Sequence, residues 1–174
     1  LLIVSALFFI GCSSAKKTVD YENLATNYVN QIKSENLKTN LTVIASDEME
    51  GRETGSNGQK KAGNYVIEQY KNAGISFPNG ATSYYQNVPA SFLNAKRSLN
   101  LQDSENIWSF IEGSDKKDEI VVVSAHYDHV GIENSEIHNG ADDDGSGTVA
   151  LIEIAKAFQK AKNEGNGPRR SILI

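Results

Sequence analysis

The chain has 174 residues, 39% hydrophobic and 22% charged, with a net charge of −5. That length and balance suit one soluble domain with a sizeable core. The acidic balance argues against a nucleic-acid partner: the basic residues are scattered in pairs such as Lys60-Lys61, Lys96-Arg97 and Arg169-Arg170, which read as solvated surface rather than a basic stripe.

Leu1–Ile10 (LLIVSALFFI) is apolar but about half as long as a bilayer-spanning helix. It suits the apolar stretch of a signal peptide, residues 1–12 in all. Gly11-Cys12-Ser13-Ser14 follows, and Cys12 is the only cysteine, so no disulfide forms within the chain. Phe9-Ile10-Gly11-Cys12 resembles the end of a bacterial lipoprotein signal, although Phe9 departs from the usual Leu. The resemblance implies lipidation at Cys12, and export with a membrane anchor on the periplasmic or cell-surface side. A plain signal peptide is the alternative. The chain lacks an initiator Met and a basic segment before Leu1, so it reads as clipped there. Residues 13–20 read as a polar tether ahead of a domain spanning 21–174.

Apolar residues at Tyr21, Leu24, Ala25, Tyr28, Val29 and Ile32 recur at helical spacing and predict a packing helix. Leu37–Ile44 predicts a second short helix. Glu48–Ser56, with its glycines and polar residues, predicts a loop, and Arg52 in it reads first as a structural residue. Gln59–Asn72 predicts an amphipathic helix that Gly74 terminates. Strands are predicted at Tyr84–Val88, Ser98–Leu101 and Asn106–Glu112. Tyr84, Tyr85 and Trp108 read as packing residues before pocket residues. Gly113–Asp115 predicts a turn and antiparallel pairing with the strand that follows.

That strand, Ile120–Val123, is an unbroken apolar run and predicts burial on both faces of a sheet. Thr148–Lys160 predicts a helix and Arg169–Ile174 a strand, which completes a βαβ unit. The fold class is therefore α/β, a mixed twisted sheet with helices on both faces.

Two polar clusters flank this unit. His126-Tyr127-Asp128-His129 follows the strand, where open α/β sheets bind ligands. Gly140-Ala141-Asp142-Asp143-Asp144-Gly145-Ser146-Gly147 leads into the helix. An isolated His-x-Asp is common, and three aspartates before a glycine are most often a solvated turn. Together they point to a divalent-metal site, since imidazole and carboxylate are zinc-type ligands and adjacent carboxylates repel unless a cation or donors absorb their charge. Asp128, two residues from His126, can accept its other ring N–H and fix its tautomer. Ser146 and Thr148 can cap the helix.

His126-Tyr127-Asp128-His129-Val130-Gly131 and Asn139–Thr148 together resemble the M28 family of zinc-dependent exopeptidases. Gly51-Arg52 and the helix after it extend the resemblance over most of 37–174. It implies that His126 ligates one Zn²⁺, that Asp143 bridges two, and that Asp128 orients His126. It also implies a cis peptide at Asp143–Asp144. The family's general-base glutamate and its remaining ligands follow the next strand, beyond Ile174, so these 174 residues are expected to be an inactive amino-terminal piece. The implied function is a di-zinc aminopeptidase acting on peptides. Two alternatives stand beside it: a peptidase-like binding protein without catalysis, and a related zinc acyltransferase such as a glutaminyl cyclase.

Overall fold

The computed structural model describes residues 20–95 and 100–174. The expectations for the signal segment, for Cys12 and for most of the tether lie outside the described residues.

Helix α1, Tyr21–Val29, starts where the Asp20 carboxylate accepts the Asn23 N–H. It ends three residues short of the expected Ile32, because Gln31 and Ile32 bond back to Tyr28 and Val29 and tighten the chain into a turn. Helix α2 spans Ser34–Ile44. The predicted loop is more regular than expected. Asp47–Arg52 forms tight helical turns, broken by positive φ at Glu50, Gly51 and Arg52.

Helix α3, Asn57–Asn72, is capped by the Ser56 hydroxyl, which accepts the Gln59 N–H. Its C-terminus shows why Gly74 is there. Gly74 takes φ +72° and donates to the Lys71 carbonyl, and the buried Ile75 donates to the Tyr70 carbonyl. These paired bonds satisfy carbonyls that the helix end leaves free.

Strand β1 (Tyr85–Val88) pairs antiparallel with β2 (Ser104–Ile107), and the short helix α4 (Ala90–Leu93) lies between them in sequence. A second sheet contains β3 (Phe110–Ile111), β4 (Lys116–Val122) and β7 (Arg170–Leu173) in the order β3-β7-β4. Strands β5 (Gly131–Glu133) and β6 (Glu136–His138) form a hairpin whose two turn residues, Asn134 and Ser135, both take positive φ. That is the turn whose twist matches paired strands. Helix α5 (Ser146–Asn163) joins β4 to the parallel β7 and completes the expected βαβ unit.

The mixed α/β architecture is observed, with three corrections. Strand β4 is not buried on both faces: Ile120, Val121 and Val122 are 56%, 43% and 65% exposed. Among the described residues it pairs only with β7, so it forms the sheet edge. The stretch expected as one strand, Asn106–Glu112, splits into β2 and β3, and β7 inserts between β3 and β4 in place of direct antiparallel pairing. Of the expected strand Ser98–Leu101, residues 98 and 99 lie outside the described residues. Leu101 is not in a strand, because the Asn94 side chain takes both its backbone N–H and its carbonyl.

The core lies where α2, α3 and α5 meet β3 and β7, around Ile44, Val66, Ile111, Ile152 and Ile172. A buried polar knot registers the three helices. The Glu153 carboxylate of α5 accepts from Asn40 of α2 at 3.0 Å and from Lys156 at 2.9 Å, and Tyr65 of α3 donates to Asn40 at 2.7 Å. Tyr84, Tyr85 and Trp108 serve packing, each donating to a nearby carbonyl or amide oxygen.

Gly74→Ala is expected to destabilise the fold by about 1 kcal/mol, the cost of a left-handed residue with a Cβ. No atom lies within 4 Å of that Cβ position, so the effect is conformational alone. Denaturant unfolding measures it, and a loss above about 3 kcal/mol would contradict the cause given.

Candidate metal centre

Two chain segments with little regular structure carry the site, and one buried cation assembles them. Arg52 is fully buried. Its guanidinium donates to four backbone carbonyls: Tyr127 at 2.7 Å, Ile44 at 2.6 Å, Asn139 at 2.7 Å and Gly140 at 2.8 Å. Tyr127 belongs to the first polar cluster, and Asn139 and Gly140 open the second. Arg52 therefore fixes their separation, as its structural reading anticipated. Burial pushes its pKa down, partly offset by the carboxylates of Asp128 and Asp143. The backbone follows suit. His129 donates its N–H to the Arg52 carbonyl at 2.9 Å, and Gly51 packs so closely that a Cβ would meet the Gly131 carbonyl oxygen.

The second cluster is tied to the first by Asp144 and Thr148. One Asp144 oxygen accepts the His126 N–H at 3.2 Å, and the other accepts the Gly147 N–H at 3.1 Å, in the first turn of α5. Thr148 donates to the His126 carbonyl at 3.0 Å. The expected capping by Ser146 and Thr148 is thus corrected. Ser146 donates to the Asp142 carbonyl, Thr148 holds the strand end, and Asp144 meets the helix N–H. The Asp143–Asp144 peptide is cis, as the resemblance implied.

The structure brings His126, Asp128 and Asp143 together. His126 Nε2 lies 3.1 Å from Asp143 Oδ1. His126 Nδ1 lies 3.0 Å from the Asp128 carbonyl oxygen and 3.5 Å from its carboxylate. A carbonyl only accepts, so Nδ1 carries a proton. In the neutral ring Nε2 is then an acceptor facing a carboxylate, which also only accepts. The pair needs a positive charge between its members, either a second proton or a cation. This is the chemistry of a metal-binding pair, and it fits a divalent ion. Partial burial pushes the His126 pKa down. The Asp128 carbonyl outweighs this, together with the carboxylates of Asp128, Asp144 and Asp143, and the net shift is upward.

His129, which the sequence reading passed over, lies on the other side: its Nδ1 is 3.6 Å from Asp143 Oδ2. Asp143 thus faces one imidazole with each oxygen while its side chain stays 71% exposed. The repeated histidine in His-Tyr-Asp-His was the available signal. Among the described residues, no three His, Cys, Asp or Glu side chains close into a full metal-holding group.

Residues 106–174 match the model of peptidase family M28. The matched segment is less than half of the chain. It contains both polar clusters, whereas Gly51-Arg52 precedes it. The vacuolar membrane protease of Paracoccidioides brasiliensis is 36% identical over 72 residues, which cover 41% of this chain and 6% of that protein. The fold resembles that of Porphyromonas gingivalis glutaminyl cyclase, with TM-score 0.62 and 18% identity over 83% of this chain and 47% of that one. It also resembles the Legionella pneumophila LapA aminopeptidase, with TM-score 0.59 and 22% identity over 91% and 38%. The chain thus spans less than half of either solved structure.

Two outcomes follow from this geometry. Arg52→Ala leaves four carbonyls, one buried and three partly buried, without this donor, each costing up to about 1–3 kcal/mol. It is expected to lower stability by roughly 4 kcal/mol or more, whereas an exposed control, Lys38→Ala, stays within about 0.5 kcal/mol. Chemical denaturation distinguishes the two, and a loss under about 1 kcal/mol for Arg52→Ala would contradict its assembling role. In the metal-free protein, Asp143→Asn is expected to lower the His126 pKa, because it removes one carboxylate that favours the imidazolium. A histidine raised in the folded state stabilises below its unfolded pKa, and that contribution fades as pH rises through the folded value. An NMR titration that leaves His126 unmoved by Asp143→Asn would contradict the pairing.

Proposed function

We propose that this chain carries the amino-terminal part of a metal-dependent peptidase, a zinc aminopeptidase that removes amino-terminal residues from peptides. The observation that carries the reading is the Nδ1-protonated His126 facing the Asp143 carboxylate, a pair that needs a cation, within a segment of M28 type. In this reading His126 Nε2 and Asp143 would hold zinc, and Asp128 orients His126. Zinc held there would supply a Lewis acid for a scissile carbonyl and for a water. Asp128 keeps the His126 proton on Nδ1 and so leaves Nε2 free. Arg52 and Asp144 hold the two polar segments in register, and the exposed Asp143 side chain gives a peptide access.

The residues that match the family's motifs supply two ligands and no general base. We therefore keep the expectation that residues 1–174 alone hydrolyse no peptide. Residues 21–174 are read as the amino-terminal part of one peptidase-type domain. Residues 1–20 are read as a lipoprotein signal with a tether anchored to the membrane at Cys12 on the exported side. The membrane location named for the Paracoccidioides relative is compatible with such an anchor. Among the described residues no helix is long and apolar enough to cross a membrane. A glutaminyl cyclase activity is the second reading, favoured by the likeness to the Porphyromonas enzyme.

The test is hydrolysis of aminoacyl-anilides by the protein as the cell makes it. Activity should vanish with a chelator, return with Zn²⁺, be absent on amino-acetylated substrates, and fall at least about 100-fold in His126→Ala. Cyclisation of amino-terminal glutamine without anilide hydrolysis would replace this reading by the second. Full activity of His126→Ala would overturn both.

A further inference from the structure

The loop that carries Arg52 does more than hold carbonyls. Glu53 forms a parallel bridge with His129, so the chain from Arg52 to Thr54 runs alongside Tyr127–His129. That pairing brings Thr54 onto Asp128, and the Thr54 hydroxyl donates to Asp128 Oδ2. The direction is fixed, because an ionised carboxylate only accepts. With Oδ2 engaged, the other oxygen is the one that faces His126 Nδ1, at 3.5 Å.

The Asp128 side chain is one-third exposed, and the terminal torsion of a carboxylate is broad and two-fold. Nothing in its own rotamer preference aims Oδ1 at the imidazole. The backbone carbonyl of Asp128 accepts from Nδ1 at 3.0 Å, and the carboxylate lies 3.5 Å from the same nitrogen as a nearby negative charge. The carbonyl's hydrogen bond and the carboxylate's charge both favour the tautomer that leaves Nε2 unprotonated toward Asp143.

We propose that Thr54 is a positioning residue of the metal centre: its hydroxyl orients the Asp128 carboxylate, and Asp128 in turn holds His126 in the Nδ1-protonated tautomer. The proposal rests on the reading of His126 and Asp143 as metal-holding residues. Thr54 acts through Asp128. It lies 74 residues from Asp128 in sequence, in a loop whose visible features are glycines and an arginine.

The test compares Thr54→Val, which keeps the shape and removes the donor, with Thr54→Ser, which keeps the donor. Long-range ¹⁵N–¹H spectra of the metal-free protein at alkaline pH report the tautomer of His126. Competition with a chromophoric chelator reports Zn²⁺ affinity, and thermal unfolding reports stability. Wild type and Thr54→Ser are expected to show the Nδ1-protonated ring. Thr54→Val is expected to show a mixture with the Nε2-protonated form and about tenfold weaker zinc binding, the lower end of what removing a ligand's supporting partner does. A Thr54→Val protein with the wild-type tautomer and wild-type zinc affinity overturns the proposal, whether or not it melts earlier. If no variant binds zinc but the tautomer still follows the hydroxyl, the positioning role stands and the peptidase reading fails.

Discussion

The site depends on one buried cation that has, among the described residues, no carboxylate partner within bonding distance. A guanidinium carries five N–H donors in a rigid plane, and here it spends them on four main-chain carbonyls from three segments. Neutral carbonyls satisfy its donors but do not neutralise its charge, so the carboxylates of Asp128 and Asp143 serve the balance from a distance. The same cation thus assembles the two segments and favours negative charge where they meet. The local backbone bends to permit it. Glu50, Gly51 and Arg52 all take positive φ, and Gly140 sits so tightly against the His129 ring that a Cβ would overlap it.

From that anchor the geometry propagates outward. Asp144 reaches from the second segment to the His126 N–H and to the first turn of α5, so the helix start, the end of the β4 connection and the aspartate run are one unit. Asp143 is left with its two oxygens pointing at two imidazoles and its side chain open to solvent. An anion between two acceptor-capable rings is unstable alone. In the proposed reading protons resolve it without metal and a cation resolves it with metal, the competition expected where metal binding and pKa are coupled.

The sequence made the helices legible because their signals are local. Ser56 before α3 and Gly74 after it mark both ends within a few residues, and the apolar spacing of α3 and α5 is read from one window. The paired clusters around His126 and Asp143 were legible for the same reason, as residue types in a short run. Strand β4 misled because an apolar run reports what a strand prefers, and not which neighbours it has. Its one strand neighbour among the described residues, β7, lies about fifty residues later in the chain. Asp144, His129 and Thr54 were missed as site residues because their roles are defined by partners that only folding supplies. The Thr54 hydroxyl has no meaning until Glu53 lies beside His129. Arg52 was read as structural, but its four acceptors could not be named from sequence.

The central claim is that Arg52 brings His126 and Asp143 together so that a divalent cation completes the pair. Anomalous diffraction at the zinc edge, on crystals grown with and without Zn²⁺, tests this most directly. The account predicts a peak within coordination distance, about 2.0–2.2 Å, of both His126 Nε2 and an Asp143 oxygen, with the Arg52 contacts unchanged between the two crystals. Zinc bound elsewhere, with His126 and Asp143 still in direct contact, would contradict it.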